Sequence, residues 1–348
     1  GLAVAARAAC RSIFLLEVVQ MSLIVQKFGG SSVRDTERLL RMAHIAKERR
    51  DEGCDVVVVL SAQGDTTDTL LEKAHELTPS PDKRELDALL ASGEQVSAAL
   101  GALALKKLGA DAISLSAWQV PVRTDGVHGD AQIETVGTER IRRELKKGRI
   151  VVVTGFQGLD EKGDITTLGR GGSDTSAVAL TAALHADELI IYTDVDGIYS
   201  ADPRLCPDAL RRERISYDDM LLLAQKGAQV LHERSVALAQ QYAVPIAVRS
   251  CGEKSAGSLV CEAGEESPVT GVTQQKSGRS PLASISAVGR ALPDSAYKKK
   301  VVSALEGGGV RVCAVVTGER LMSVFVPCED AERALLLAHS ALIEGKKT

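Results

Sequence analysis

Two runs in this chain, "VVVVLS" at 56–61 and "IVVVT" at 150–154, limit what it can fold into. Consecutive β-branched residues leave no polar face, so both strands must be covered on both sides. A parallel sheet flanked by helices achieves this. Further strands are expected at Leu23–Phe28, Ala112–Ser116, Leu189–Thr193 and Ile246–Arg249. Between them lie helical stretches. In "ELDALLASGEQVSAALGALALKKLG" the residues Leu86, Leu89, Leu90, Val96, Leu100 and Leu103 recur at helical spacing and predict an apolar helix face. Strand–helix alternation of this kind predicts a three-layer α/β/α domain with a largely parallel sheet. Ligands of such sheets sit beyond the carboxyl ends of the strands, which directs attention to the loops that follow them.

A polar stretch without periodicity, "CEAGEESP" at 261–268, marks a boundary. Beyond it the expected order is strand (269–273), strand (283–288), helix (295–305), strand (310–316), strand (321–327) and helix (330–343), a small α+β unit. The expected division is therefore an extension over 1–20, an α/β domain over 21–262 and a second domain over 263–348. The first twenty residues start without methionine, contain arginine and are nearly free of acids. They suit a transit peptide, upstream read-through or a cloning remnant, and they are left out of the fold argument.

The formal net charge of -4 and an aromatic content of 3% argue against nucleic-acid binding. The basic stretches at 47–50 and 211–214 are interrupted by acids, and both, like Lys298–Lys300, read as solvated faces. Seven scattered cysteines without a C-x-x-C pair signal neither a zinc site nor a disulfide framework, which suits a reducing, cytoplasmic setting. The longest apolar run noted, 12–25, is interrupted by Glu17 and Gln20 and is too short for a bilayer, so no membrane partner is expected.

Four strand-terminal loops carry groups suited to phosphoryl transfer. In "VQKFGGSSV" (25–33) Lys27 precedes Gly29, Gly30 and Ser31, and glycines allow close backbone approach to an anion. "LSAQGDTTDTL" (60–70) repeats the glycine–hydroxyl theme, with Asp65 or Thr66 as a sufficient helix cap. "TTLGRGGSDTSA" (166–177) holds Arg170, suited to bidentate grip of an anion, and Asp174 at a helix start that Ser173 or Thr175 could equally cap. "YTDVDGIYSADPR" (192–204) lacks the later ligands of a calcium loop and could instead hold a nucleotide. No loop has the lysine of a P-loop. Each alone could be an ordinary turn. Together they suggest a nucleotide-dependent phosphotransferase without one.

These segments, with "SYDDMLLLAQKGAQVLHERSVALA" (216–239), resemble in order and spacing the motifs of aspartokinases, members of the amino-acid kinase superfamily. The resemblance implies ATP- and Mg²⁺-dependent phosphorylation of the aspartate side-chain carboxylate to 4-phospho-L-aspartate, the first step toward lysine, threonine and methionine. It further implies that Lys27 neutralises γ-phosphate charge, that Gly29, Gly30 and Ser31 line the phosphate path, and that Asp174 organises the reacting end. Arg170 would grip an aspartate carboxylate, Glu94 the amino group, and Thr67 would help hold the amino acid. Thr193, Asp194, Tyr199, Asp202 and Arg204 match the nucleotide segment. No residue is assigned as a dedicated metal ligand.

Ser31 stands where threonine is usual, Gln229 where a nucleotide-site lysine is usual, a charge that nearby Lys226 could supply instead, and Glu233 where proline is usual. The tail resembles a single, circularly rearranged ACT-type regulatory module where two are usual, with 269–273 supplying the last strand. A homodimer and an amino-acid effector at the tail are implied. Two alternatives remain open: a kinase for another small carboxylate, and a degenerate kinase acting as an amino-acid sensor.

Overall fold

The structure is a computed structural model that describes residues 22–252, 256–278 and 280–343. The expected N-terminal extension over 1–20 lies outside them. The first half runs β1 (Leu23–Phe28), α1 (Thr36–Asp51), β2 (Asp55–Leu60), α2 (Thr66–Leu77), α3 (Lys83–Leu90), α4 (Ser92–Lys107), β3 (Ala112–Leu115), β4 (Val122–Thr124), β5 (Ile133–Val136), α5 (Glu139–Leu145), β6 (Ile150–Thr154), β7 (Gln157–Leu159) and β8 (Ile165–Thr167). Then follow α6 (Gly172–Leu184), β9 (Glu188–Thr193), β10 (Ile198–Tyr199), β11 (Arg211–Arg212), β12 (Arg214–Ser216), α7 (Tyr217–Gln225), α8 (Glu233–Gln241), β13 (Ile246–Ser250) and β14 (Ser258–Cys261).

Eight of these strands form the main sheet, in the order β12-β14-β13-β9-β1-β2-β6-β3. Every neighbouring pair is parallel except β13 with β14. The β-branched runs are buried throughout because alternate residues enter different cores. Val57, Val59, Val151 and Val153 pack with Val178 and Leu184 of α6 on one face. Val56, Val58, Ile150 and Val152 pack with Met42 of α1 and Leu105 of α4 on the other. The three-layer α/β/α expectation therefore holds.

The expected helix over 86–103 is present but differs in two respects. It is two helices, meeting at Ala91, and α4 is turned so that Val96, Leu100 and Leu103 are 55%, 37% and 61% exposed. Its buried face consists instead of Gly93, Glu94, Ser97, Ala98, Gly101, Ala102, Ala104 and Leu105. The reason is close approach: a Cβ at Gly101 would lie 2.8 Å from Leu60 Cδ1 and 3.2 Å from Met42 Cε. Small residues let the first turns of the helix lie against the sheet, Leu105 fills the core near its end, and Val96, Leu100 and Leu103 are left outside. Together the two helices make one stretch, Lys83–Lys107, long and apolar enough by length and composition to cross a bilayer, against the expectation of no such run; 56% of its most apolar window is buried within the fold.

A second small sheet, β5-β4-β7-β8, was not expected; its strands are three or four residues long and carry no apolar run.

The tail contains β15 (Gly271–Lys276), β16 (Leu282–Val288), α9 (Ser295–Gly307), β17 (Ala314–Thr317), β18 (Leu321–Pro327) and α10 (Ala331–Leu342). Its antiparallel sheet has the order β15-β16-β18-β17, so the edge strand beside β16 comes first in the chain. This is the arrangement expected of one circularly rearranged ACT-like module. The tail core also takes in Ala201 and Cys206 from the loop between β10 and β11.

The tail is fastened at its root by Arg212. Its Nε donates to the Thr270 carbonyl at 2.8 Å and its Nη2 to that of Val269 at 2.9 Å, with the guanidinium buried. Arg320 of the tail makes a two-pronged contact to Asp219 Oδ1 at 2.9 and 2.7 Å, while Asp219 Oδ2 accepts from Thr270 Oγ1. Arg212→Ala leaves the Thr270 carbonyl without its donor, while the Val269 carbonyl keeps Ser267 Oγ, and should lower unfolding free energy by about 1–3 kcal/mol. Arg212→Lys should recover only part, because one ammonium cannot reproduce the fork. Denaturant titration of the three proteins measures this.

Candidate functional site

The site grows from the carboxyl ends of β1, β2, β6 and β9. Strand β1 lies between β2 and β9, with Phe28 opposite both Leu60 and Tyr192. Phe28 and Tyr192 stack at 4.5 Å between ring centroids, and the Gly29 N–H donates to the Tyr192 carbonyl. The first turn after β1 is a 3-10 turn over Gly30–Ser32, in which Ser31 is exposed and Ser32 buried. Gly30 has no room for a side chain, since a Cβ would meet the Ala62 carbonyl oxygen at 2.7 Å. That contact draws the turns after β1 and β2 together.

Lys27 and Asp174 meet across the sheet at 2.6 Å, each side chain 11% exposed. Asp174 is free to make this pair because it does not cap its own helix. The α6 N-cap is Gly171, in the left-handed region at φ 70°, and no side chain caps there. The hydroxyls of Thr175 and Ser176 donate back to the carbonyls of Gly171 and Gly172. In the turn after β2, Asp65 sits at the N-cap without a side-chain bond, and the Thr66 hydroxyl donates to the Gln63 carbonyl instead. Asp65 is thus the expected N-cap of α2 by position but without a side-chain bond, and none of Ser173, Asp174 and Thr175 caps α6.

Glu94 lies one turn into α4, 3% exposed. Its Oε1 accepts from the Ala62 N–H at 2.8 Å, and its Oε2 is buried without a hydrogen-bond partner among the described residues. Burial pushes its carboxyl up to about 7, against the lowering influence of the Ala62 N–H and of the Lys27 charge. Thr67, half-buried in the first turn of α2, borders the same loop, and Gly93 packs against Ala62 and Thr66. An unpaired carboxylate oxygen here can receive an ammonium group.

The turn carrying Arg170 is held from behind by α8. A Cβ at Gly171 would fall 2.2 Å from His232 Cβ, and His232 Nδ1 accepts the Arg234 N–H. Arg234 Nη1 donates to the Leu168 carbonyl at 2.6 Å and to Asp130 Oδ1 at 2.5 Å, while Nη2 donates to the Ala131 carbonyl at 2.9 Å. Arg170 itself is exposed at the loop surface. Nothing in the sequence marks Arg234 for this role, because an arginine early in an amphipathic helix looks like a solvated residue. Glu233 occupies the first position of α8, where an acid complements the helix N-terminus as well as a proline fits it.

Beyond β9 lies a cavity of about 460 Å³. All five residues expected at a nucleotide, Thr193, Asp194, Tyr199, Asp202 and Arg204, line it. Arg204 and Asp202 form a two-pronged ion pair, and Tyr199 Oη donates to Asp196 Oδ1. Gln229 lines the cavity and Lys226 is not among its lining residues. Lys226 closes α7, and its carbonyl accepts from Thr273. The suggestion that Lys226 stands in for the missing lysine thus finds no support. Among the described residues no group of three or more His, Cys, Asp or Glu side chains could hold a metal ion.

Because the Glu94 carboxyl titrates near 7 when folded and near 4.5 when unfolded, the folded protein binds more protons between those values. Stability should therefore fall as pH rises from about 4.5 to 7, by up to roughly 3 kcal/mol. Glu94→Gln, which keeps the acceptor for Ala62, should remove that slope. Denaturation midpoints at pH 5 and 8 for both proteins check it; parallel shifts would contradict the assignment.

The pattern of the amino acid kinase family matches residues 22–250. An aspartokinase of Bacillus sp. (strain MGA3) is 51% identical over 242 residues, 70% of this chain and 59% of that protein. An aspartokinase of Mycolicibacterium smegmatis is 47% identical over 303 residues, 85% of this chain and 70% of that protein. The match thus spans about 59–60% of the length of the Bacillus and Geobacillus relatives. Among solved structures, E. coli aspartokinase III in complex with aspartate and ADP superposes with a TM-score of 0.80 at 24% identity, covering 92% of this chain and all of that one. The chain belongs to the amino acid kinase family, and within it to the aspartokinases.

Proposed function

We propose that the chain transfers the γ-phosphoryl group of ATP to the side-chain carboxylate of L-aspartate, giving ADP and 4-phospho-L-aspartate. The observation that carries this reading is the buried Lys27–Asp174 pair, beside the unpartnered carboxylate oxygen of Glu94 and one strand away from the cavity beyond β9. The relative from E. coli binds aspartate and ADP on the same fold. A cavity of this volume suits a nucleotide.

The ammonium of aspartate would meet Glu94 Oε2, with Thr67 beside it and Arg170 taking a carboxylate. The nucleotide would lie along Thr193–Arg204, its phosphates reaching Lys27 and the Gly29–Ser31 turn. The nucleophile is already an anion, so the reaction needs no strong base. A carboxylate oxygen attacks the γ-phosphorus as the bond to the β-phosphate oxygen breaks. Lys27 offsets the charge gathering there, and Asp174 holds the lysine in place. Mg²⁺ would neutralise phosphate charge; it commonly binds through phosphates, waters and one or two carboxylates, and Asp174 is the carboxylate available.

On this reading residues 21–262 are the catalytic domain and 263–348 a single regulatory domain for an amino-acid effector. The protein works in the cytoplasm as a homodimer, in the route to lysine, threonine and methionine. Free cysteines at all six described positions agree with a reducing compartment.

A hydroxamate assay with ATP, Mg²⁺ and aspartate tests the reaction. Product formed only with another small carboxylate, or none from a folded protein, would replace this reading with a related kinase or a sensor. Lys27→Ala should lower kcat on the order of 10²-fold or more, and a change confined to KM would contradict its role. Arg170→Ala should raise the KM for aspartate. With Glu94 free to ionise only near 7, kcat/KM for aspartate should rise with pH through that value. A flat profile would remove Glu94 from the ammonium site.

A further inference from the structure

The cavity beyond β9 has a wall that the catalytic domain does not supply. Val272, Thr273 and Gln274 of β15 and Leu335 of α10 all line it, although they belong to the tail. The strand is held there at three points. The Val272 N–H donates to the Ser200 carbonyl at 2.7 Å, on the loop between β10 and β11. Thr273 Oγ1 donates to the Lys226 carbonyl at 2.8 Å, beside the turn that leads to Gln229. Gly227, at φ 108°, lies so close that an added Cβ would sit 2.8 Å from the Gln274 carbonyl oxygen. One tail strand therefore bridges both loops that form the sides of the cavity.

Within that wall, the side-chain oxygen of Gln274 is buried and has no hydrogen-bond partner among the described residues. A buried amide oxygen left unpaired is costly, and a turn of the Gln274 side chain toward the cavity it lines would bring that acceptor to a ligand donor. Phosphate oxygens only accept, and in the proposed reaction they lie toward Lys27. The donors of a purine nucleotide are the amino group of its base and its ribose hydroxyls. The apolar neighbours Ile198, Leu223, Val272 and Leu335 suit the flat base rather than the hydrated sugar.

We propose that the tail completes the nucleotide site, with Gln274 accepting a hydrogen bond from the exocyclic amine of adenine. The inference rests on the proposed use of ATP and adds a residue that reads the base. It gives the tail a direct part in substrate recognition, in addition to any effector it binds.

Calorimetric titration of the full chain with ADP and with inosine diphosphate, which carries an oxygen in place of the amine, tests this. The wild type should bind ADP about fivefold or more tightly than inosine diphosphate, as one hydrogen bond is worth. Gln274→Met keeps the side-chain length and removes the acceptor. It should weaken ADP by that factor, leave inosine diphosphate within about twofold, and so abolish the preference. Gln274→Glu, which can only accept, should retain the preference for ADP and guards against a folding defect in the first variant. An unchanged ADP preference in Gln274→Met, or an equal loss for both nucleotides, overturns the inference. If aspartate-dependent turnover persists alongside such a result, the kinase reading stands. A wild-type chain that binds no ADP and makes no product removes both.

Discussion

A lysine whose side chain is held at 11% exposure near the end of a buried strand cannot stand alone, and the arrangement of the catalytic face follows from how Lys27 is satisfied. Its partner comes from the first turn of α6, so the end of β1 and the start of α6 must stay within one ion-pair distance. Gly171 permits this by adopting a left-handed conformation against His232, where any side chain would collide. Gly155, after β6, lets the same helix start approach more closely still, because a Cβ there would be 2.7 Å from Ser173 Cβ. The glycines of this region are spacers that set how near three strand ends can come, and the charged pair is what they make room for.

Legibility in the sequence tracked how strongly one residue type dictates its surroundings. The β-branched runs declared their strands to within about a residue, since burial on both faces leaves them no other state. The helix over 92–107 was legible as a helix, but its orientation was not. Large apolar residues normally mark the inner face; here the demand for close approach put glycine and alanine inside and left Leu103 in solvent. The short strands of the second sheet had no hydrophobic signature to read. At the site, Lys27 and Asp174 were legible as charges in glycine-rich loops at strand ends, and Glu94 only through the family resemblance. Arg234 and Gln274 were not, because their surroundings come from segments some sixty to a hundred residues away in the first case and from the fold of the tail in the second.

The order of strands in the tail explains why it reaches the cavity at all. The strand that leads the tail occupies the sheet edge beside β16 and also follows directly on the root held by Arg212. An edge strand has one free row of backbone groups, and β15 spends part of that row on Ser200. The junction is therefore a set of specific polar contacts, with Ala201 and Cys206 crossing into the tail core, rather than a loose linker.

The central position of β1 also decides the sequence of events in which the molecule can be made. Its neighbours are β2, a few dozen residues on, and β9, whose approach is recorded by the bond from the Leu23 N–H to Asp187, 164 residues away. A nascent chain can pair β1 with β2 early, but one whole side of β1 stays open until β9 has been synthesised. During that interval an apolar parallel strand presents an unpaired edge, and closure of so long a loop is slow. The route to the native state thus passes through an exposed half-sheet, and the vulnerability to misassociation falls in synthesis rather than in the finished protein.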